Sequence, residues 1–233
     1  ALESAFLIDS FTVVFVVQDP ISSVMKIIEN CHISKKHILK IDGAGYHSSA
    51  QAINGNLAVG LQHAFRTLGA GLVVVLEDDI VISRDALCYF RQVASIYSGD
   101  KKFRGVNGFS REVGSPSFRN EYLRLNMGVG WGWAIPKRSY DKIVRYWVGA
   151  EDNHWDFIFE PYIRTGFVVN PFRSRILNIG FDDSATHTSS NVELGSEIQS
   201  SFSIDLVPHS CDLTELSKDF TWGPGSINMT KAS

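Results

Sequence analysis

The chain has no excess of positive charge. Its 233 residues carry 22 Lys and Arg against 25 Asp and Glu, a formal net charge of −3. That excludes the basic footprint expected of a nucleic-acid binder or of a protein held on an anionic membrane. Long apolar runs are also missing; none approaches the roughly 20 residues needed to span a bilayer. The N-terminal stretch ALESAFLIDS lacks a basic region and a convincing apolar segment, and reads as no signal peptide. Cysteine is scarce: Cys31, Cys88 and Cys211 lie far apart with no CxxC pair. An odd count leaves at least one thiol free unless it pairs between chains, and leans towards a reducing compartment. The one glycosylation sequon, Asn228-Met229-Thr230, is close to chance in a chain of this length and establishes nothing about secretion.

Phosphate-binding glycine loops are absent too. No GxxxxGK[ST] occurs, which excludes a P-loop protein. Gly43-Ala44-Gly45 lacks a third glycine at the dinucleotide spacing, and Gly128-Val129-Gly130-Trp131-Gly132 fails that spacing. A bound diphosphate would therefore need a metal, rather than a glycine loop, to neutralise it. There is no internal repeat and no linker that separates two domains.

What is present is an α/β pattern. The length suits one such domain or two small ones, and a mean hydropathy of −0.01 is ordinary for a globular chain. Phe11–Val17 is a continuous apolar run of the kind buried on both faces of a sheet. Pro20 suits a first helical turn, with Ile21, Val24, Met25 and Ile28 at helical spacing. His37–Ile41 is a second strand. Residues 54–68 form an amphipathic helix, with Leu57, Leu61, Ala64, Phe65 and Leu68 on one face. Leu72–Leu76 is a third strand; Ser83 can cap the next helix, with Asp85 in its first turn. The alternation predicts a parallel or mostly parallel sheet with helices on both faces. Further on, glycine is dense around 128–132. Pro136 opens a helix bearing Tyr140, Ile143, Val144 and Trp147, residues 155–165 read as helix, and Phe167–Asn170 and Arg175–Ile179 read as short strands. From about Ser189 the chain is polar and poorly periodic.

The third strand runs into Glu77, Asp78 and Asp79. In an open α/β sheet, ligands bind beyond the carboxyl ends of the strands. If the backbone stays extended, Glu77 and Asp79 point one way and Asp78 the other. Two or three carboxylates at one spot suit a hard cation such as Mn²⁺ or Mg²⁺, which keeps waters and shares its other positions with substrate phosphates. The plainer alternatives are ion pairs with Lys or Arg, or the start of a solvated loop. Asp156 and His187 stand alone in sequence, and such residues more often cap helices or lie at the surface. The Trp131-Gly132-Trp133 segment is more often core, although Trp beside Gly also builds platforms for sugar rings.

Taken in order, these segments resemble GT-A glycosyltransferases, in particular the N-acetylglucosaminyltransferase I group and related bacterial sugar transferases. The resemblance rests on Leu76–Phe90 (LEDDIVISRDALCYF), Tyr122-Leu123-Arg124, the Gly128–Trp133 segment, Trp155-Asp156, and the stretch from Asn178-Ile179-Gly180-Phe181 to Ala185-Thr186-His187-Thr188. It spans roughly residues 11–188. It implies a GT-A (Rossmann-like) α/β fold, a mostly parallel sheet flanked by helices in a single domain. Residues 1–188 would be the nucleotide-sugar transferase domain and 189–233 a C-terminal extension packing on or near the active site. The activity implied is metal-dependent, inverting transfer of a sugar, first GlcNAc, from a UDP-sugar to a hydroxyl of a glycan or other acceptor. By the same resemblance Asp79 would hold Mn²⁺ or Mg²⁺, Asp78 would meet the ribose or the metal, and Glu77 the donor sugar. Asp42 would bind the uracil, Trp155 would pack on the donor sugar, and Asp156 would be the general base. His187 would ligate the metal or close over the diphosphate. Two departures stand out: Gln18-Asp19-Pro20 replaces the family's basic residue after the first strand, and Phe157 replaces a second acid after the Trp-Asp pair.

Three rivals remain at this level: a catalytically inactive nucleotide-sugar-binding domain, a sugar nucleotidyltransferase, and a structural α/β domain with a surface acidic cluster. The resemblance to bacterial relatives implies a cytoplasmic protein, or a Golgi-lumenal one if the chain is trimmed. Acceptor contacts would come from the variable loops 107–127 and 189–233.

Overall fold

The computed structural model describes residues 2–110, 122–126, 130–147, 155–171, 174–180 and 219–221. The order is β1 (Val13–Gln18), α1 (Ser22–Asn30), β2 (Lys36–Ile41), α2 (Ser49–Gln62), β3 (Leu72–Val75), β4 (Ile80–Ile82), α3 (Ala86–Ile96), β5 (Phe103–Asn107), β6 (Tyr122–Leu125), β7 (Trp133–Pro136), α4 (Lys137–Trp147), α5 (Trp155–Ile163), β8 (Phe167–Pro171), β9 (Ile176–Asn178) and β10 (Asp219–Thr221).

The structure is α/β, and the expectation of a mostly parallel sheet gives way to a mixed one. β1 and β2 form a parallel pair of their own, as a helical crossover between consecutive strands demands. The main sheet has the order β10-β6-β8-β5-β7-β3. Within it β5–β8 and β10–β6 are parallel, whereas β3–β7, β5–β7 and β6–β8 are antiparallel. A third, two-stranded antiparallel pair joins β4 to β9. Strand β7 thus runs against both of its neighbours, and β6 against β8.

Strand β3 shows why the apolar run is continuous. Leu72 and Val74 pack into one core, with α3 and strands β5 and β9, while Val73 and Val75 pack into another, with α2, α4 and α5. The first core centres on Tyr89, Phe90, Val93, Phe103 and Ile176, and the second on Leu61, Phe65, Trp133, Ile143 and Phe159. Helices therefore cover both faces, as the alternating pattern predicts. Among the described residues, no helix is long and apolar enough to cross a membrane.

Several local expectations shift. Helix α2 starts earlier than residue 54, because the Ser48 hydroxyl accepts from Gln51 N at 3.2 Å and caps it. It ends in a turn of π-helix over His63–Thr67, which carries the buried Phe65. Pro136 closes β7, and helix α4 begins one residue later. Ser83 does not cap α3. Its hydroxyl donates to Asp85 Oδ1 at 2.6 Å, and Asp85 takes the capping position without a side-chain cap bond. Cys31 is the free thiol expected from the odd count, but Cys88, buried on α3, is disulfide-bonded.

Candidate functional site

The three acids leave β3 on a turn rather than on an extended strand. Ile80 N donates to Glu77 O at 3.2 Å, placing Asp78 and Asp79 at the centre of the turn before β4. The expected alternation, with Asp78 pointing away from the other two, therefore does not apply. The turn is pinned from the far end of the chain. Ile80 pairs with Asn178 in the β4–β9 ladder, and Ile179 N donates to Asp79 O at 2.9 Å. The buried Asn178 makes a hydrogen-bonding contact with the Asp79 side chain and accepts from Gly180 N at 2.7 Å. A β-carbon on Gly180 would fall on the Asp79 carboxylate, Oδ2 first.

No cation answers these charges among the described residues, whose ion pairs are Arg66–Asp141, Lys137–Asp141, Arg164–Glu160 and Arg175–Asp85. The Glu77 pKa is accordingly pushed up to about 7, by burial first and then by Asp79 and Asp78. The residue as a whole remains exposed, so the carboxyl feels a weaker burial effect than a core acid; the two neighbouring charges push the same way. Asp79 is raised as well, by burial and by Asp78, against lowering contributions from its backbone and from Asn178. Asp79 Oδ1 is buried with no fully formed hydrogen bond.

Aromatic residues stand at the same end of β3. Val75 is paired with Trp133, which is 1% exposed and stacks on Trp155 at 4.9 Å and 21°. Trp155 thus has one face against the core, at the first position of α5. Just before Trp133, Gly132 takes φ +55°, and its carbonyl accepts from Gly108 N at 2.6 Å. A side chain at Gly108 would collide with Gly132 O, which accounts for a glycine in this approach. Trp131 then meets Phe109 edge-on at 4.8 Å. Asn107 reads across the same region, donating to Asn170 Oδ1 at 2.6 Å and accepting from Gly130 N at 3.1 Å.

Asp42 lies where the sequence reading puts it, after β2. Its Oδ1 accepts from Ala44 N at 2.9 Å and caps the short turn Gly43–Gly45. Next to it, the departure at Gln18-Asp19 forms a polar knot. Asp19 Oδ1 accepts from Gly43 N at 2.9 Å, and Asn56 Nδ2 donates to Gln18 Oε1 at 3.0 Å. Asp156 occupies the first turn of α5, with its side chain outside the described residues, as is that of Phe157. His187 and the rest of the Phe181–Thr188 segment lie outside the described residues, as do Gly128 and most of 189–233.

The structure therefore gathers Glu77, Asp78 and Asp79 in one turn and brings Trp155 to the Trp133 wall at the end of the same strand. Sequence reasoning missed Asn178 and Gly180 as neighbours of Asp79, and Asn107 as the polar tie to Gly130. The only available signal was an Asn and a Gly closing an apolar strand. It also missed the ion pair at the other end of the β4–β9 ladder, Arg175 Nε to Asp85 Oδ2 at 3.2 Å, with the two side chains 5% and 3% exposed.

Among the described residues, no group of three His, Cys, Asp or Glu could hold a metal ion by itself. A hard cation bound here would have to take one or two carboxylates and fill its other positions with water or ligand oxygens; Asp79 Oδ1, buried without a hydrogen-bond partner, is a carboxylate oxygen that such a site would use. No protein-family model matches the chain, and a search of curated proteins finds no match. What the fold and site define is an α/β protein with a mixed sheet and an acidic turn at a strand end.

Proposed function

We propose that the chain is an inverting, metal-dependent glycosyltransferase of GT-A type. It would move a sugar, GlcNAc first, from a UDP-sugar to a hydroxyl of a glycan or other acceptor. The observation that carries the reading is the acidic turn: three consecutive carboxylates follow one another at the end of a half-buried strand, unanswered by any cation among the described residues, beside a tryptophan wall. Such a cluster is costly unless a ligand neutralises it, and strand ends are where α/β sheets take ligands.

In this reading Asp79 would hold Mn²⁺ or Mg²⁺, and His187 would ligate the same ion or close over the donor's diphosphate. When bound, the cation would take up charge that develops on the departing diphosphate. Asp78 contacts the ribose, Glu77 the donor sugar, and Asp42 the uracil through the carboxylate oxygen that does not cap its turn. Trp155, backed by Trp133, offers an apolar face to the sugar ring. Asp156 removes the proton from the acceptor hydroxyl. That oxygen bonds to the anomeric carbon from the face opposite the leaving diphosphate, whose bond to the carbon breaks, and the configuration inverts.

The disulfide at Cys88 favours an oxidising, lumenal setting over a cytoplasmic one for this transferase. The test of the base is Asp156→Asn, assayed for transfer from UDP-GlcNAc in the presence of Mn²⁺. The rate should fall by about 10²-fold or more. Transfer at near wild-type rate would remove Asp156 from that role. Mn²⁺-dependent binding of UDP-GlcNAc with neither transfer nor slow hydrolysis would favour the inactive binding domain instead.

A further inference from the structure

Three consecutive residues close on Asp79, each in a different way. Ile179 N donates to its backbone carbonyl at 2.9 Å. The Asn178 side chain makes a hydrogen-bonding contact with its carboxylate while Asn178 Oδ1 accepts from Gly180 N at 2.7 Å. With that oxygen engaged as an acceptor, the NH₂ of the same amide is the group able to donate to an ionised Asp79. Gly180 supplies the floor. The three atoms nearest to a β-carbon built there all belong to Asp79, Oδ2, Cβ and Cγ. Gly180 has no positive φ, so its glycine is not required by the backbone. What it provides is room for one carboxylate. Asn178 is 5% exposed, and its register is fixed by pairing with Ile80, the residue after Asp79.

We propose that Asn178 and Gly180 are positioning residues that seat the Asp79 carboxylate in the pose from which it binds the cation and its nucleotide. This rests on the transferase reading given above. A binding site needs its ligating group held by surroundings that fix its rotamer, and a pose lost by a fraction of an ångström costs affinity. Glu77 and Asp78 are exposed residues and have no such floor in the contacts described. The seat therefore makes Asp79 the fixed carboxylate of the three.

The test uses the whole chain and Mn²⁺ with UDP as the probe, followed by calorimetric titration, with the melting temperature of the unliganded protein measured alongside. Asn178→Ala and Gly180→Ala should each weaken Mn²⁺-dependent UDP binding at least tenfold. Gly180→Ala is the sharper variant, because the three atoms nearest to its added methyl all belong to Asp79. It also stands in if Asn178→Ala fails to fold. A purely structural role would lower the melting temperature and leave the dissociation constant of the folded protein unchanged, which would overturn the proposal. If Asp79→Ala loses binding while both seat variants bind like wild type, the seat falls and the transferase reading stands. If the wild-type chain shows no Mn²⁺-dependent UDP binding, both fall.

Discussion

Residues 11–100 and residues 103–180 contribute to the site in opposite ways. The first stretch is built from consecutive elements: β1 and β2 pair in parallel across α1, and α2 leads into β3. It carries the acids Asp42, Glu77, Asp78 and Asp79. The second stretch is built from strands inserted between or beside earlier ones. β7 lies between β3 and β5, and β9 pairs with β4 across nearly a hundred residues of chain. It carries one candidate acid, Asp156, and sets the positions of residues in the first stretch, through Ile179 and Asn178 on Asp79, Trp133 beside Val75, and Arg175 on Asp85. The chemistry of a strand-end site is thus written in local segments. Its geometry depends on long-range pairing, whose loop-closure entropy must be offset by burial.

That division can be broken on purpose. The largest expected effect on stability comes from Arg175→Met, which leaves Asp85 buried without its partner, 3% exposed. Removing one member of a buried pair costs about 3–5 kcal/mol. Chemical denaturation should show a loss of that size, and Arg175→Met combined with Asp85→Leu should recover most of it. A single variant as stable as wild type would mean that the pair does not tie β9 to the start of α3.

A smaller effect belongs to the acidic turn itself. Glu77 holds its proton more tightly in the folded chain than in the unfolded one, since its pKa rises from 4.5 to about 7. The stability it contributes is present at low pH and is lost as pH rises through about 7. Glu77→Gln should therefore stabilise the unliganded protein at pH 8 and have no such effect near pH 4.5. With the residue's solvent exposure discounted, the gain at high pH is on the order of 1 kcal/mol, a few degrees in Tm. Thermal melts of both proteins at pH 5 and pH 8 decide it. An equal gap at the two pH values would show that Glu77 is not strained by its neighbours.

How much was legible in the sequence follows from the same difference. The apolar run at β3, the amphipathic face of α2 and its π-helical end with Leu61 and Phe65, and the helix after the acids all announce themselves by pattern. So does the strand-end position of the acids. Strands β4, β5, β6 and β7 did not, because each has only three to five residues, and β5 and β6 also mix apolar with polar or glycine positions. Ile80–Ile82 is too short for any period to register. Their antiparallel directions were invisible for a further reason: strand direction is set by partners distant in sequence, and an alternating βα pattern in the first hundred residues suggests parallel pairing throughout. Ser83 misled because a hydroxyl two residues before a helix has two uses, and a buried Asp85 with Arg175 nearby claims it. Asn178 and Gly180 could not be read as partners of Asp79 until β9 had been placed against β4.

The central claim is that the acidic turn is completed by a cation carrying a nucleotide diphosphate, with Asp79 as its fixed ligand. The most direct measurement is calorimetric titration of the protein with UDP, with and without Mn²⁺, on wild type and Asp79→Ala. Saturable binding that requires Mn²⁺ and vanishes in the variant is the result expected. Identical titrations of the two proteins, or UDP binding indifferent to Mn²⁺, would contradict it.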